Sequence, residues 1–298
     1  MITLRRILCP VDFSDFARRA VEHAVAIAKW YEARLTILHV FVNLPTLDLP
    51  PIELTDVERE RLVTRMSAFV GQMPAGLPID FLVREAADVR REILGQIDTL
   101  GADLLVIGSH GRGGFEKLLL GSVTEKVLRK ASCPVMVVPA GAPDAARAGS
   151  VRFERVLCPV DFSDSSLRAL THALSIAQEA DARLTVMHVI EVPPELKAHT
   201  TVVTDVDIDQ LHAASLADAL ERLRGLVPLS ARGHCTVETV AREGAAYRQI
   251  LKVAAEQRSD LIVMGPHGRS AMDLFLFGSN TARVIRAAAC PVMITRGS

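Results

Sequence analysis

The sequence lacks a large net charge, and it lacks long apolar runs. Its 34 lysines and arginines nearly balance 35 aspartates and glutamates, so the formal net charge is −1. This balance favours neither a nucleic acid nor a membrane surface as a partner. No stretch approaches the roughly 20 apolar residues of a transmembrane helix, and residues 1–8 hold too short an apolar run for a signal peptide. We therefore predict no nucleic acid and no membrane among the partners, and a cytoplasmic location.

Cysteine is scarce, and its spacing lacks the C-x-x-C pattern of many metal and redox sites. Four of the five cysteines occupy equivalent positions in the two halves of the chain, and each of the four precedes a proline: Cys9 with Cys158, and Cys133 with Cys290. We predict buried, reduced thiols that pack as small apolar groups. Redox or metal roles are the alternative.

The motifs of phosphoryl-transfer enzymes are also missing. No G-x-x-x-x-G-K-(S/T) phrase occurs, so the lysine of a P-loop and its transfer machinery are absent. The loop after the first apolar run carries neither H-x-G-H nor S-G-G-x-D-S, which related α/β nucleotidyl transferases and ATP pyrophosphatases use. No residue shared by the two halves stands out as a base for water, and we predict no catalytic residue.

What the sequence does contain is an internal repeat. Residues 6–40 align without a gap on residues 155–189, and Gly108-Ser-His-Gly111 recurs as Gly265-Pro-His-Gly268. Between the copies lies a stretch of small residues, which is typical of a linker. We predict a first domain at 1–140, a linker at 141–152 and a second domain at 153–298, each long enough to bury its own core.

Within each copy, apolar strands alternate with amphipathic helical patterns. In the first copy the predicted strands lie near 6–11, 34–41, 78–83, 103–107 and 135–139. Helices are predicted after Ser14 or Asp15 as a cap, and over 56–72 and 205–226. This alternation predicts an α/β fold of two repeated, doubly wound, Rossmann-like domains, with five parallel strands each and helices on both faces. The last strands, 133–139 and 290–295, should pair and join the domains about a pseudo-two-fold axis.

A glycine phrase follows the fourth predicted strand of each copy. Gly111 is followed after nine residues by Gly121-Ser122, and Gly268 by Gly278-Ser279. Because a buried strand precedes the phrase and a helix follows it, backbone amides and a helix N-terminus should face one space at the ligand-binding edge of the sheet. We predict a phosphate cradle in which a Cβ would block the approach of phosphate to the amides; glycines that only make turns are the alternative. The phrase Ser122-Val-Thr-Glu125 also predicts a capping box with Ser122 as the cap.

Together these features resemble the universal stress protein family. The resemblance rests on I-L-C-P-V-D-F-S-D near the start, L-x-x-x-H-V ending the second strand, D-L-(I/L)-V-(I/M)-G-x-H-G-R, the nine-residue spacing to G-S, and the final C-P-V. It covers nearly all of both halves, so the chain is similar to the tandem form. The G-x-x-G-x9-G-(S/T) pattern marks the ATP-binding branch of that family. The resemblance thus implies ATP, ADP or AMP as the ligand and leaves Mg²⁺ as its companion open.

The resemblance also implies one nucleotide site in each copy. In the first copy the implied residues are Pro10, Val11, Asp12, Val40, Ile107, Gly108, His110, Gly111, Arg112, Gly121, Ser122, Val123 and Thr124. In the second copy they are Pro159, Val160, Asp161, Val189, Met264, Gly265, His267, Gly268, Arg269, Gly278, Ser279, Asn280 and Thr281. The two aspartates would accept hydrogen bonds from ribose or from an exocyclic amine, with a turn or helix cap as the alternative. The histidines of the glycine phrases contact phosphate or are simply solvated, whereas His39 and His188 are predicted to pack.

The function implied is an ATP-binding stress-response or regulatory protein, in which nucleotide tunes a conformation or a partner surface; a homodimer is a further expectation. A slow ATPase or nucleotide-transferring enzyme and a scaffold with unoccupied sites are the alternatives. The copies also differ. Ser270 and Ala271 replace Gly113 and Gly114, and Lys117 has no counterpart. We therefore predict that the first site holds ATP more tightly.

Overall fold

A computed structural model of the chain describes residues 3–43, 53–111, 120–139, 141–142, 153–191, 205–228, 235–268 and 278–296. In the first repeat these residues form β1 (Arg6–Pro10), α1 (Asp15–Trp30), β2 (Arg34–Val42), α2 (Asp56–Val70), β3 (Ile79–Ala86), α3 (Val89–Leu100), β4 (Leu104–Gly108), α4 (Ser122–Lys130) and β5 (Val135–Val138). In the second repeat they form β6 (Arg155–Pro159), α5 (Asp164–Glu179), β7 (Arg183–Ile190), α6 (Asp205–Leu226), β8 (Thr236–Glu243), α7 (Ala246–Glu256), β9 (Leu261–Met264), α8 (Ser279–Ala287) and β10 (Val292–Ile294). The predicted α/β fold with repeated elements is confirmed.

Local sequence signals explain where the helices begin. The hydroxyl of Ser14 accepts a hydrogen bond from the amide of Ala17 at 3.2 Å, so Ser14 caps α1 as predicted. Thr55 and Glu58 form a reciprocal capping box at the start of α2. Because α1 buries an alanine-rich stripe that includes Ala20 and Ala24, its backbone can lie close to the sheet.

The first compact unit consists of Met1–Arg152 together with Ile285–Ser298. Its strands follow the order β3-β2-β1-β4-β5-β10, and all pairs are parallel except the last. β10 runs antiparallel to β5, with Val292 opposite Val137 and Met293 opposite Met136. The predicted pairing of the two closing strands is therefore confirmed, and it explains why the end of the chain belongs to the first unit. The pseudo-two-fold relation of the domains stays a prediction.

The second compact unit, Phe153–Val284, contains four parallel strands in the order β9-β6-β7-β8. In both units the strand order reverses next to the first strand of the repeat: β1 lies between β2 and β4, and β6 lies between β7 and β9. A crevice opens at the carboxyl ends of the strands at such a reversal. The topology therefore places the loops after β1 and β4, and after β6 and β9, at the two candidate sites.

All five cysteines are buried and reduced, as predicted for the four that belong to the repeat. Burial raises the pKa of Cys9 and Cys158 well above the ordinary thiol range, and it raises the pKa of Cys133 to about 12. These thiols are protonated at neutral pH and pack as apolar groups. In the part of the chain that the structure describes, no helix is both long enough and apolar enough to cross a membrane.

Candidate functional site

A cleft of about 980 Å³ opens in the first unit where β1, β2 and β4 end. Every residue that the sequence implied for this site and that the structure describes lies on its wall: Pro10, Val11, Asp12, Val40, Ile107, Gly108, His110, Gly111, Gly121, Ser122, Val123 and Thr124. Arg112 lies outside the described residues, as do Gly113, Gly114 and Lys117. The cleft thus joins an apolar slot, a carboxylate and a glycine loop in one cavity of nucleotide size.

The sequence reasoning missed part of the wall. The cleft is also lined by Ala17, Leu38, His39, Phe41, Val42, Val89, Ile93 and Leu120. Val89 and Ile93 come from α3, whose position depends on how that helix packs on the sheet. The apolar continuation of β2 beyond Val40 was a usable signal, because strand ends at this edge of the sheet face the crevice.

The N-terminus of α4 forms one wall of the cleft and carries no side-chain cap. Gly121 is the N-cap residue, and the first backbone bond of the helix runs from the Glu125 amide to the Gly121 carbonyl at 2.9 Å. The amides of Ser122, Val123 and Thr124 precede this bond and point out of the helix. The predicted capping box is therefore wrong, because Ser122 is the first helical residue and its side chain is exposed. Outward-pointing amides and the positive end of the helix dipole make this turn suited to an anion.

The glycines of the loop lie where an added Cβ would press on neighbouring atoms of the protein. A Cβ on Gly108 would lie 2.9 Å from the backbone carbonyl of Phe16 in α1. A Cβ on Gly121 would lie 3.1 Å from the carbonyl oxygen of Ser109, and one on Gly111 would lie 2.6 Å from Oδ2 of Asp12. The glycines therefore let helix, loop and carboxylate approach one another closely. Their predicted role of admitting phosphate stays a prediction.

Asp12 is held in a tight turn at the mouth of the cleft. Its Oδ1 accepts hydrogen bonds from the backbone amide of Ser14 at 3.0 Å and from the Ser14 hydroxyl at 2.6 Å. The turn role that the sequence left as an alternative is thus present. Oδ2 lies on the side of Gly111, so one oxygen organises the turn while the other faces the glycine loop.

Phe13, the residue after Asp12, has a left-handed backbone with φ of 65°. Such a conformation costs a bulky residue of order 1–3 kcal/mol, and contacts of the Phe13 ring with two neighbouring side chains help to hold it. The centroid of the Phe13 ring lies 4.7 Å from the centroid of the His39 imidazole and 4.0 Å from Cζ of Arg65. His39 in turn donates from Nδ1 to the carbonyl of Val11 at 2.7 Å. This histidine packs as predicted, and it also fixes the backbone of the slot.

The second repeat builds the same turn. Asp161 accepts from the amide and hydroxyl of Ser163, at 3.1 and 2.6 Å. Phe162 is left-handed with φ of 65°, and its ring lies 4.7 Å from that of His188 and 3.9 Å from the guanidinium of Arg222. His188 donates to the carbonyl of Val160 at 2.7 Å. The same strained turn and the same supporting contacts thus occur in both copies. Such strain is typical of functional sites.

The glycine loop of the second repeat also keeps its geometry. A Cβ on Gly268 would lie 2.6 Å from Oδ2 of Asp161, and one on Gly278 would lie 3.1 Å from Cα of His267. Thr281 donates to the carbonyl of Gly265 at 3.2 Å, as Thr124 does to Gly108 at 2.9 Å. The remaining implied residues that are described sit on the equivalent elements: Pro159 on β6, Val189 on β7, Met264 on β9, and Ser279 and Asn280 at the start of α8. Arg269, Ser270 and Ala271 lie outside the described residues.

The histidines of the two loops have different surroundings. His110 is hydrogen-bonded through Nδ1 to the Ser109 hydroxyl at 3.0 Å, and its ring lies 5.2 Å from that of Phe16. In the second repeat Ser165 stands at the position of Phe16, and its hydroxyl donates to the backbone carbonyl of His267 at 2.7 Å. The side chain at this position of the first helix of each repeat therefore contacts the imidazole of the loop in the first repeat and its backbone in the second.

The other paired histidines have structural positions. Burial lowers the pKa of His23, whose Nδ1 is bonded to the carbonyl of Arg19 one turn earlier in α1. Burial likewise lowers the pKa of His172, which is bonded to the carbonyl of Arg168 in α5. Within the described ranges, no group of three His, Cys, Asp or Glu side chains is placed to hold a metal ion.

Comparison with known proteins gives one consistent family. The profile of the Universal stress protein family matches residues 3–139 and 152–296. A universal stress protein of Mycolicibacterium smegmatis is 29% identical over 97% of this chain and 96% of its own length. One of Methanocaldococcus jannaschii is 30% identical over 50% of this chain and 86% of its own length. The crystal structure of a universal stress protein from Archaeoglobus fulgidus aligns with 98% of this chain and 96% of its own at 22% identity and a TM-score of 0.65, which is a likeness of fold.

Proposed function

Since the chain belongs to the universal stress protein family and shares a tandem organisation with a full-length relative, we propose that it is an ATP-binding regulatory protein. Adenine nucleotide is the proposed ligand of the cleft in the first unit and of its counterpart in the second. Bound nucleotide is proposed to tune the conformation of the loops around the cleft, or a surface that a partner reads. ADP and AMP are proposed to compete for the same slot.

The observation that carries this proposal is the uncapped first turn of α4 in the wall of the cleft. Its outward-pointing amides lie in the same cavity as the Asp12 carboxylate and the apolar side chains of Val11 and Val40. Hydrogen bonds to a charged group contribute roughly 1.5–3 kcal/mol each. A few amides on a phosphate chain, with a purine in the apolar slot, can thus reach the approximately 8 kcal/mol of micromolar binding without a P-loop lysine.

Mg²⁺ is proposed to enter with the phosphates. This ion keeps several waters and is usually bound through one or two carboxylates plus substrate phosphates. Asp12 is the carboxylate that the described part of the cleft wall offers, and one of its oxygens is engaged by Ser14. We expect Mg²⁺ to change nucleotide affinity only modestly.

The test is the nucleotide content and affinity of the full-length protein. Nucleotide released by denaturation is identified by chromatography, and ATP is titrated by calorimetry into protein stripped of ligand. ATP binding without phosphate release supports the regulatory role. If phosphate is released by the wild type and not by Asp12→Asn, slow ATP hydrolysis replaces the regulatory role as the function. If adenine nucleotides do not bind at millimolar concentration, the proposal is wrong and a scaffold role takes its place.

A further inference from the structure

The helices beside the two clefts differ in their acidic residues. In the first repeat, Asp88 caps α3, Glu92 lies in the first turn of α3, and Glu125 lies in the first turn of α4. The equivalent helical positions of α7 and α8 hold neutral residues, Ala245, Gln249 and Ala282. These helices of the second repeat thus lack three carboxylates that the first repeat carries.

In the first repeat two of these acids pair with neighbouring cations, and the third, Glu92, accepts a hydrogen bond from the side-chain amide of Gln96 at 2.9 Å. Asp88 accepts two hydrogen bonds from the guanidinium of Arg90, at 2.8 and 2.9 Å, which hold the pKa of the carboxyl well below its usual range. Glu125 pairs with Arg129 one helical turn later at 2.9 Å. The carboxylates thus neutralise the guanidiniums of Arg90 and Arg129, whereas no ion pair within the described ranges involves Arg91.

In the second repeat Tyr247 stands at the position of Arg90, and two arginines gather around its ring. The guanidinium Cζ of Arg283 on α8 lies 4.8 Å from the ring centroid of Tyr247 on α7. Arg248 lies 5.7 Å from the same centroid and donates from Nε to the tyrosine oxygen at 2.9 Å. Both arginines are exposed, and no ion pair within the described ranges joins either of them to a carboxylate. The cation–π contacts and the hydrogen bond to the tyrosine oxygen orient the two guanidiniums, and no carboxylate within the described ranges neutralises their charge.

We propose that Tyr247, Arg248 and Arg283, the basic helix face, bind an acidic segment of a partner protein. A guanidinium matches a carboxylate with two parallel hydrogen bonds, and this face presents two guanidiniums held by one ring. Arginine and tyrosine are also the residues that dominate binding energy at protein interfaces. Arg283 replaces Lys126 of the first repeat, so the second repeat has the side chain that is better suited to this geometry.

A protein partner fits this surface better than a nucleic acid. Nucleic-acid binding usually neutralises many phosphates over an extended basic surface. Here the face holds two arginines, and the whole chain has a formal charge of −1, so no broad positive field accompanies it. The inference does not depend on nucleotide in the clefts.

The experiment measures binding of a short, fluorescently labelled peptide rich in glutamate and leucine to the full-length chain by anisotropy. The same peptide with glutamine in place of glutamate is the charge control. We expect the glutamate peptide to bind at low salt and to weaken at high salt, because exposed charges are screened. We expect the double variant Arg248→Ala/Arg283→Ala to weaken this binding about tenfold or more.

Two further variants separate the face from general charge. Arg91→Ala/Lys126→Ala removes the counterparts of the two arginines from the first repeat and should change the affinity less than about twofold. Ala245→Asp/Ala282→Glu returns two acids of the first repeat while leaving every arginine in place, and it should weaken peptide binding as the alanine variants do. Circular dichroism verifies that each variant is folded.

Several results would overturn the inference. These are absence of binding by the wild-type chain, equal binding of the glutamine peptide, or equal losses from substitutions in the two repeats. Tighter binding of a single-stranded DNA of similar charge would assign the face to phosphates instead of carboxylates. A dimer that the double variant dissolves, without peptide binding, would assign it to a second copy of this chain.

Discussion

Replacement of Gly111 by alanine separates the proposed ligand-binding role of Asp12 from its structural role. The new Cβ would lie 2.6 Å from Oδ2 of Asp12, whereas ordinary contacts begin at 3.4 Å. The carboxylate must therefore retreat by most of an ångström. Because it is the end of a side chain, it can move without displacing the backbone.

The expected losses of stability and of ATP affinity follow from the hydrogen bonds that Asp12 accepts. Movement of the carboxylate weakens its bonds to the amide and hydroxyl of Ser14, and we expect a loss of about 1–2 kcal/mol in the free energy of unfolding. If Oδ2 also accepts a hydrogen bond from the nucleoside, that bond contributes roughly 1.5–3 kcal/mol. The affinity of the first site for ATP should then fall roughly 10- to 150-fold.

Gly108→Ala is the matched control because its added Cβ would contact backbone atoms instead of the end of a side chain. Its Cβ would lie 2.9 Å from backbone atoms of Phe16, which cannot turn aside without moving α1. Such overpacking costs typically 1–3 kcal/mol. We expect Gly108→Ala to lower stability more than Gly111→Ala does, and Gly111→Ala to lower ATP affinity more.

The assay combines urea unfolding with calorimetric titration of ATP, in a background where the second site is disabled by Gly278→Val, the equivalent of Gly121→Val. Wild-type ATP affinity in Gly111→Ala, together with a stability loss as large as that of Gly108→Ala, would refute the reasoning. Asp12 would then be a turn residue alone. Recovery of affinity in Gly111→Ala at high protein stability, for example with an osmolyte, would point to the same conclusion.

Three other predictions concern Gly121 at the start of α4, the pH dependence of stability, and the relative ATP affinities of the two sites. Gly121→Val should abolish ATP binding at the first site, because the added side chain would occupy the space proposed for phosphate, and should lower stability by about 1–3 kcal/mol, because its Cβ would lie 3.1 Å from the backbone carbonyl oxygen of Ser109; calorimetry that finds unchanged stoichiometry and affinity contradicts this. Burial raises the pKa of Asp260 from 3.8 to about 6, so the folded state holds this proton more tightly than the unfolded state, and stability is lost as pH rises from about 4 to about 6. Asp260→Asn should remove that loss. The free energy of unfolding of the variant should therefore exceed that of the wild type by an amount that grows as the pH rises across this window. Asp103→Asn is the matched substitution in the first repeat. ATP should bind several-fold more tightly to the first site than to the second in titrations of single-site variants; equal affinities would show that the backbone cradle decides binding.

Local signals in the sequence predicted the elements well. Ser14 as a cap, the start of α2 at Asp56 and the span of α6 over 205–226 all agree with the structure. These features depend on side chains within a few residues of each other and on apolar periodicity. The strand pattern was equally informative, because buried parallel strands give continuous apolar runs.

Features set by distant parts of the chain were not predictable in this way. The amide of Gly121 is bonded to the carbonyl of Ser109 at 2.9 Å, which fixes Gly121 as the cap and places Ser122 inside the helix despite its capping-box sequence. The contribution of Val89 and Ile93 to the cleft depends on the packing of α3. The contact between Gly111 and Asp12 likewise requires the fold, although both residues were implied as members of one site.

The antiparallel pairing of β10 with β5 has a consequence for synthesis of the protein. The first unit lacks β10 until the ribosome has translated that strand, which at 5–20 residues per second takes on the order of ten seconds after β5 emerges. During that interval β5 presents unpaired backbone groups, a known route to aggregation. A chain truncated after the linker should therefore need a substitute strand, and a nascent chain would be a substrate for chaperones at this edge.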